Sequence, residues 1–535
     1  AAAVSPPRHT VAIPKVKSAV WSPDGSTLAI ADPQRGVVVI ELSESQEAGE
    51  LAPSLIAGSS KQTIGVQWSP LSSSLVTISA VPKGSSQPNL QIWRRSTKDG
   101  CESGGGTGEY LCAASYSHPK LLGDRQVVKW TSDEQFCARL TPEGHLSITD
   151  GADPAGEPMV VEFAFGAQDF AFAPLGARSP LKARIAAFVP DKRDELQRVV
   201  APGEVVIHEV FTPPGARSGL TPDIASRRKA SSAVSAGQSA ELKWSPTGTA
   251  LLAHCTTEVD DSGKSYYGGS KLVLVSYDGN CQKDFSELDE QSGAPGGITQ
   301  AVAWSPTRDE FILIQGFQPA QVTLWLWDST SQKVTLARVL MEKAHRNTIR
   351  FNSFGSLVCL AGFGNLAGEM DFFGRLGDDK CDYAFISSAV ASCTVAADWA
   401  PDGRHLLTAV LAPRMRVDNG LFVWRALRGE KVAEQSFEEL YEVQFRPEPP
   451  HSLRFSDITV EEILRAAKDS AEKAAALRPE AKKQAYRPPK ARGAEGASTV
   501  AAMMRGEVAA PDPEDRRRKA WGKGRAEADG AERPP

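Results

Sequence analysis

Apolar and polar positions alternate along most of the chain in short bursts, as in "TLAIAD" (27–32), "SLVTIS" (74–79), "LQIWRR" (90–95) and "HLLTAV" (405–410). A period of two sends successive side chains to opposite faces, so each burst predicts a β-strand with at least one buried side. Between the bursts a short signature recurs. It is clearest at Trp21-Ser22-Pro23-Asp24-Gly25, Trp68-Ser69-Pro70, Trp244-Ser245-Pro246-Thr247-Gly248, Trp304-Ser305-Pro306 and Trp399-Ala400-Pro401-Asp402-Gly403. Weaker copies begin at Trp130, Phe172, Phe351 and Phe445, making nine copies spaced 42 to 72 residues apart. Proline presets φ and Asp-Gly accepts positive φ, so the signature closes a turn between two strands, while its aromatic is expected between neighbouring repeats.

A third strand often follows with an aromatic near its end, as in "VTLWLWD" and "GLFVWRA". Strand, turn, strand, turn, strand at this spacing predicts an all-β fold, a WD-type β-propeller. Unrelated β-sandwiches would not repeat the aromatic-Ser-Pro signature. Nine copies predict nine blades, or a ring in which the Phe445 copy is a closing strand that completes a blade shared with the N-terminus. Long Gly/Ser/Pro-rich loops are expected at 99–110 and 213–238, the second with a basic tip, Arg227-Arg228-Lys229.

After Pro447 the pattern changes. Residues 457–485 read as a helix with Asp457 as N-cap and a stripe of Ile463, Leu464, Ala467 and Ala471. The expected division is a propeller over 1–450, a helical extension over 451–485 and a disordered Pro/Gly/charge-rich tail over 486–535.

The chain has 535 residues, 41% of them hydrophobic, and a formal net charge of −5, so polyanion binding would have to come from local basic patches. Eight scattered cysteines with no C-x-x-C pair argue against a zinc site or a disulfide framework. No apolar run approaches the roughly 18 residues of a membrane span. The first residue is Ala1, and an abbreviated N-terminus with some blade strands missing is expected; a targeting segment stays open.

Motifs that resemble catalytic chemistry fall short. Gly263-Lys264-Ser265 ends like a phosphate loop but lacks the first glycine, since position 258 is Glu258. "GFGNLAG" (362–368) loosely matches a dinucleotide fingerprint, yet a strand-like "EMDFF" follows it, so a tight β-turn is expected. There is no G-x-S-x-G elbow, and the histidines are dispersed. No enzyme activity, cofactor or metal is expected.

Three segments carry a more specific resemblance: "GTALLAHCTTEVDDSGKSYYGGSKLVLV" (248–275), "GSLVCLAGFGNLAGEMDFF" (355–373) and "WAPDGRHLLTAVLAPRMRVDNGLFVW" (399–424). They resemble blades of the eukaryotic translation initiation factor 2A family, and Ala485-Tyr486-Arg487-Pro488-Pro489 is similar to that family's motif after the propeller. The resemblance implies a nine-bladed propeller with a C-terminal extension. It also implies a cytoplasmic, non-enzymatic factor that binds the small ribosomal subunit and initiator methionyl-tRNA for non-canonical initiation. Messenger RNA and other initiation factors are further expected partners, with no membrane and a monomeric state. The short tail departs from the family's Lys-rich extension, which puts messenger binding and contacts with the GTPase initiation factor 5B in doubt. Two alternatives stand beside this reading: a generic WD-repeat scaffold, and the b subunit of initiation factor 3.

The candidate binding residues are basic. Arg414 and Arg416 flank Met415 in the loop ahead of Asn419-Gly420, where guanidinium groups could fork onto phosphates and stack on bases. The structural alternative pairs an arginine with a carboxylate and buries Met415 between blades. In the tail, Arg516, Arg517, Arg518, Lys519, Trp521 and Lys523 combine cations with one aromatic, a composition suited to single-stranded RNA or simply to solvent.

Overall fold

The computed structural model describes residues 2–3, 13, 15–42, 53–82, 87–96, 109–118, 126–174, 182–195, 198–212, 224–234, 237–257, 269–287, 296–377, 382–448 and 454–477. The candidate tail residues Arg516, Arg517, Arg518, Lys519, Trp521 and Lys523, the Gly263-Lys264-Ser265 motif and the Ala485–Pro489 segment all lie outside them. Two compact units divide the chain, residues 1–472 and 473–535.

Within the first unit the strands form consecutive four-stranded antiparallel sheets, the blades of a β-propeller. Among the described residues there are eight such blades, at 19–55, 63–116, 128–161, 169–234, 239–284, 299–344, 348–390 and 396–436. Ala2–Ala3 adds a fifth strand to the last, parallel to Glu430–Ser436. Apolar residues on the second and third strands of each blade pack against the next blade, as where Leu251, Ala253 and Val273 of blade 5 meet Ile207 and Phe188 of blade 4.

The signature explains itself in atoms. In at least four copies the residue after the aromatic is a hydroxyl or amide side chain that accepts from the N–H five positions on: Ser22 from Thr27 (2.9 Å), Ser69 from Ser74 (2.9 Å), Thr131 from Phe136 (3.1 Å) and Asn352 from Leu357 (3.0 Å). All four are buried, so each closes its turn without water. The aromatic reaches sideways. The indole N–H of Trp68, Trp244, Trp304 and Trp399 donates at 2.9–3.0 Å to the carbonyl of Val20, Ala171, Lys243 and Arg350, which is in each case the residue just before the previous blade's aromatic. The residue before the aromatic reaches the other way. Gln67, Lys129, Lys243 and Arg350 donate to the carbonyls of Val128, Phe170, Val302 and Ala397, each two positions ahead of the next blade's aromatic. These reciprocal bonds set neighbouring blades in register.

The ninth copy obeys the same rule. Gln444 donates to the carbonyl of Ala19, two residues before Trp21, at 3.3 Å, and the Arg446 side chain lies over the Trp21 ring and donates to the Gly25 carbonyl at 2.6 Å. Residues 444–447 therefore hold the position of an inner strand between blade 8 and blade 1. No sheet stands behind it among the described residues, so eight full blades and one inner segment are seen where nine copies were counted. Gly25 has φ +68°, and a Cβ there would stand 2.1 Å from the Pro447 carbonyl oxygen, so glycine is what admits this segment.

Three sequence expectations need correction. Among the described residues the helix runs over Val460–Leu477, with 478–485 lying outside them, and its N-cap is Thr459, not Asp457: the Glu462 N–H donates to the Thr459 hydroxyl while Glu462 accepts from the Thr459 N–H, a reciprocal capping box. Asp457 instead accepts from the Ser356 hydroxyl at 2.5 Å. The docked stripe is Ile463 and Ala466 on blades 7 and 8, whereas Leu464 is 51% exposed and Ala471 also faces outward. An Arg404–Glu462 ion pair at 3.0 Å fixes this rotation. Finally, the basic tip at Arg227-Arg228-Lys229 is no loop: Ala225–Val234 is the outer strand of blade 4.

Candidate functional site

In a four-stranded antiparallel blade, the hairpin between the second and third strands emerges on the same rim as the connection to the next blade. The signature turns emerge on the opposite rim. The loop at 411–419 joins His405–Val410 to Gly420–Arg425, so it lies on the connector rim of blade 8. The hairpins at 362–368 of blade 7 and 316–319 of blade 6 lie on the same rim.

The 411–419 loop is built by Asn419. Its side-chain amide donates to the Met415 carbonyl at 3.0 Å, its side-chain oxygen accepts from the Leu440 N–H at 3.0 Å, and its carbonyl accepts from the Phe437 N–H. Buried Asn419 thus ties the loop to the chain that leaves the blade. A plain two-residue turn could not do this, which is why the hairpin is longer than its Asn-Gly pair requires. Met415 is half-buried, while Arg414, Arg416 and Val417 are exposed, Val417 at 65%. Neither arginine joins any ion pair found among the described residues. On the next hairpins along the rim, Phe317 is 65% exposed, and Gly364 and Asn365 are exposed too.

The structure brings together two segments that sequence reading treated apart. Arg414 lies across the glycine turn of blade 7: a Cβ on Gly364, where φ is +74°, would be 3.0 Å from a terminal guanidinium nitrogen of Arg414. The turn itself runs from Leu357–Ala361 into the strand Glu369–Arg375, so no helix N-terminus is offered to a dinucleotide. Gly364 therefore serves as a bare floor for the arginine. Behind the same turn, buried Arg346 is committed elsewhere, to Asp371 at 2.6 Å and Glu369 at 2.9 Å, and its contact with Glu369 holds that carboxyl below its usual range. Sequence spacing gave no sign of the Arg414–Gly364 contact, because it joins two blades.

What this rim offers is a pair of fork-shaped cations and exposed apolar tips on rigid hairpins, an arrangement suited to binding rather than to bond making. Among the described residues no group of His, Cys, Asp and Glu is placed to hold a metal ion. The other basic run is differently placed. Arg228 pairs with Glu204, and Lys229 with Glu209 at 3.5 Å, across the outer sheet of blade 4.

Residues 234–443, which span blades 5 to 8 and both hairpins of the candidate site, match the family described as Eukaryotic translation initiation factor eIF2A. The chain is 28% identical over 498 residues to "Eukaryotic translation initiation factor 2A" of Schizosaccharomyces pombe, covering 91% of this chain and 75% of that protein. It is 33% identical over 325 residues to the Dictyostelium discoideum protein of the same name, covering 61% of this chain and 46% of the relative, so it spans about half that relative's length. Among solved structures, one titled "Crystal structure of the eukaryotic initiation factor" superposes with a TM-score of 0.60 at 23% identity, over 84% of this chain and 94% of that one, a likeness that speaks for the fold. Through the blades that carry the candidate site, this chain is similar to the eukaryotic translation initiation factor 2A family.

Proposed function

We propose that this chain is a non-catalytic translation initiation factor that works in the cytoplasm, as a monomer, on the small ribosomal subunit together with initiator methionyl-tRNA. The propeller is the rigid platform, and the connector rim of blades 6 to 8 is its RNA-facing side. The observation that carries this reading is Arg414 and Arg416, exposed on one anchored hairpin with no ion pair among the described residues, inside the segment that matches the family. Forked guanidinium groups suit phosphate and base faces at once. The tail residues Arg516, Arg517, Arg518, Lys519, Trp521 and Lys523 would add a second, sequence-tolerant grip on single-stranded RNA, messenger RNA included.

Co-sedimentation with small ribosomal subunits, with and without initiator tRNA, tests the proposal. The full chain should travel with the subunits at moderate salt and be released at high salt, and the Arg414→Ala/Arg416→Ala variant should bind more weakly. A chain that stays at the top of the gradient in every condition, while forming a ribonuclease-resistant protein complex, would favour a protein scaffold instead.

A further inference from the structure

A second feature of the connector rim lies on the other side of the ring-closing segment, between blades 1 and 2. There a groove of about 450 Å3 is floored by Pro33, Ile64, Val81 and Pro82, with Lys17 and Lys61 at its margin. Lys17 stands just ahead of the inner strand of blade 1 and Lys61 just ahead of that of blade 2, so two separate connectors bring a lysine each to one groove. Ile64 is 39% exposed although it sits on an inner strand. No carboxylate lines the groove, and neither lysine joins an ion pair among the described residues. Lys15 and Arg35, both exposed, add charge nearby; the one carboxylate facing Arg35 among the described residues is buried Asp32, at 3.8 Å. On a chain of net charge −5 this is a local excess of positive charge around an apolar floor.

The lining decides between two polyanions. Single-stranded RNA is gripped by aromatic rings or guanidinium planes that stack on bases, and none of the lining residues is aromatic or arginine. Prolines and aliphatic side chains accept an alkyl or aromatic side chain, and lysines, as compact point charges, accept carboxylates in many geometries. We infer that this groove is a docking site for an acidic protein segment, one apolar side chain entering between Pro33, Ile64 and Pro82 while flanking Asp or Glu residues meet Lys17 and Lys61. The site is distinct from the arginine hairpin of blade 8. It would let the factor hold a protein partner while the other arc of the same rim is engaged elsewhere.

The experiment uses the full chain and fluorescence anisotropy with a labelled peptide of Asp and Glu residues around one central leucine. Two other probes accompany it: the same peptide with serine at the centre, and a uridine oligonucleotide. The leucine peptide should bind, and the Lys17→Glu/Lys61→Glu variant should weaken it about tenfold or more, since each reversed charge opposes the ligand. The serine peptide should bind several-fold more weakly. Arg414→Ala/Arg416→Ala should leave peptide affinity unchanged. All four positions are exposed enough that thermal unfolding of the variants should match that of the parent, which separates lost binding from lost folding. The inference is overturned if the leucine peptide does not bind, or if charge reversal leaves its affinity unchanged. It is equally overturned if the oligonucleotide, and not the peptide, loses affinity with Lys17 and Lys61, for then the groove belongs to RNA.

Discussion

On the outer strand of blade 4, Arg228 and Lys229 face Glu204 and Glu209 across the sheet, whereas on the rim of blade 8 Arg414 and Arg416 pair with no carboxylate among the described residues. Both runs look alike in sequence. Their neighbours make the difference, and on blade 4 those neighbours come from another strand, Gly203–Phe211, which pairs with Ala225–Val234. Charged residues on an exposed edge strand also discourage pairing with a second sheet, so the blade 4 run has a structural purpose of its own. The paired cations belong to the fold, and the unpaired ones are proposed here to meet a ligand.

The far end of this scale is Arg375. It is buried with Glu310 of the neighbouring blade, at 2.9 Å, and the Tyr383 hydroxyl donates to the same carboxylate at 2.7 Å. Burial, with the adjacent carboxylate, pushes the Tyr383 phenol far above its usual range and keeps it a donor. Removing the cation by Arg375→Ala leaves Glu310 charged in the seam, which should cost about 3–5 kcal/mol in urea unfolding. Whatever remains folded should bind RNA as the parent does; a loss of binding in the folded fraction would break the comparison.

A smaller effect of the opposite kind is expected on the rim. Arg414→Ala/Arg416→Ala should lower RNA affinity roughly tenfold, about 1.4 kcal/mol, with stability unchanged within about 0.5 kcal/mol. Gly364→Ala sharpens the same point, because the glycine has φ +74° and supports the arginine from below. It should cost about 1 kcal/mol of stability and weaken RNA binding a few-fold, measured on one preparation by unfolding and by anisotropy. The blade 4 run can be turned into the other class: Glu204→Gln/Glu209→Gln should leave stability within about 1 kcal/mol but make RNA binding roughly two- to threefold tighter at low salt. No gain would mean that the edge strand is inaccessible to RNA.

The smallest effect concerns a cation that burial keeps from forming. His254, against Lys243, has its pKa lowered, mainly by burial and further by the lysine charge. Below the ordinary histidine value of about 6.5 the unfolded chain takes up a proton that the folded ring refuses. Its contribution is therefore present at higher pH and fades as pH falls from about 6.5 toward the folded value. The melting temperature should drop between about pH 7.5 and 5.5, and His254→Gln should flatten that drop.

The propeller was legible because its signature is local: an aromatic, a hydroxyl and a turn lie within five residues, and each has one task in the seam or the turn. A further local signal went unread. The long polar residue before the aromatic, in Gln67-Trp68, Lys129-Trp130, Lys243-Trp244, Arg350-Phe351 and Gln444-Phe445, is the outgoing half of the inter-blade bonds and marks the ninth copy as part of the ring. Asp457 looked like a cap because aspartate accepts from free N–H groups as threonine does, and only Glu462 three residues after Thr459 separates the two. The site was legible as residue types and not as a place. Nothing local tells that Arg414 rests on Gly364, or that Arg228 and Lys229 are neutralised, because strands distant in sequence supply those neighbours.

The most direct test of the central claim is the salt dependence of binding to a single-stranded RNA, measured for the parent and for Arg414→Ala/Arg416→Ala. If the two arginines each neutralise a phosphate, the slope of log affinity against log salt should become shallower by about 1.4, twice the roughly 0.7 per phosphate of single strands. An unchanged slope and an unchanged affinity would contradict the account and remove blade 8 from the RNA-facing side.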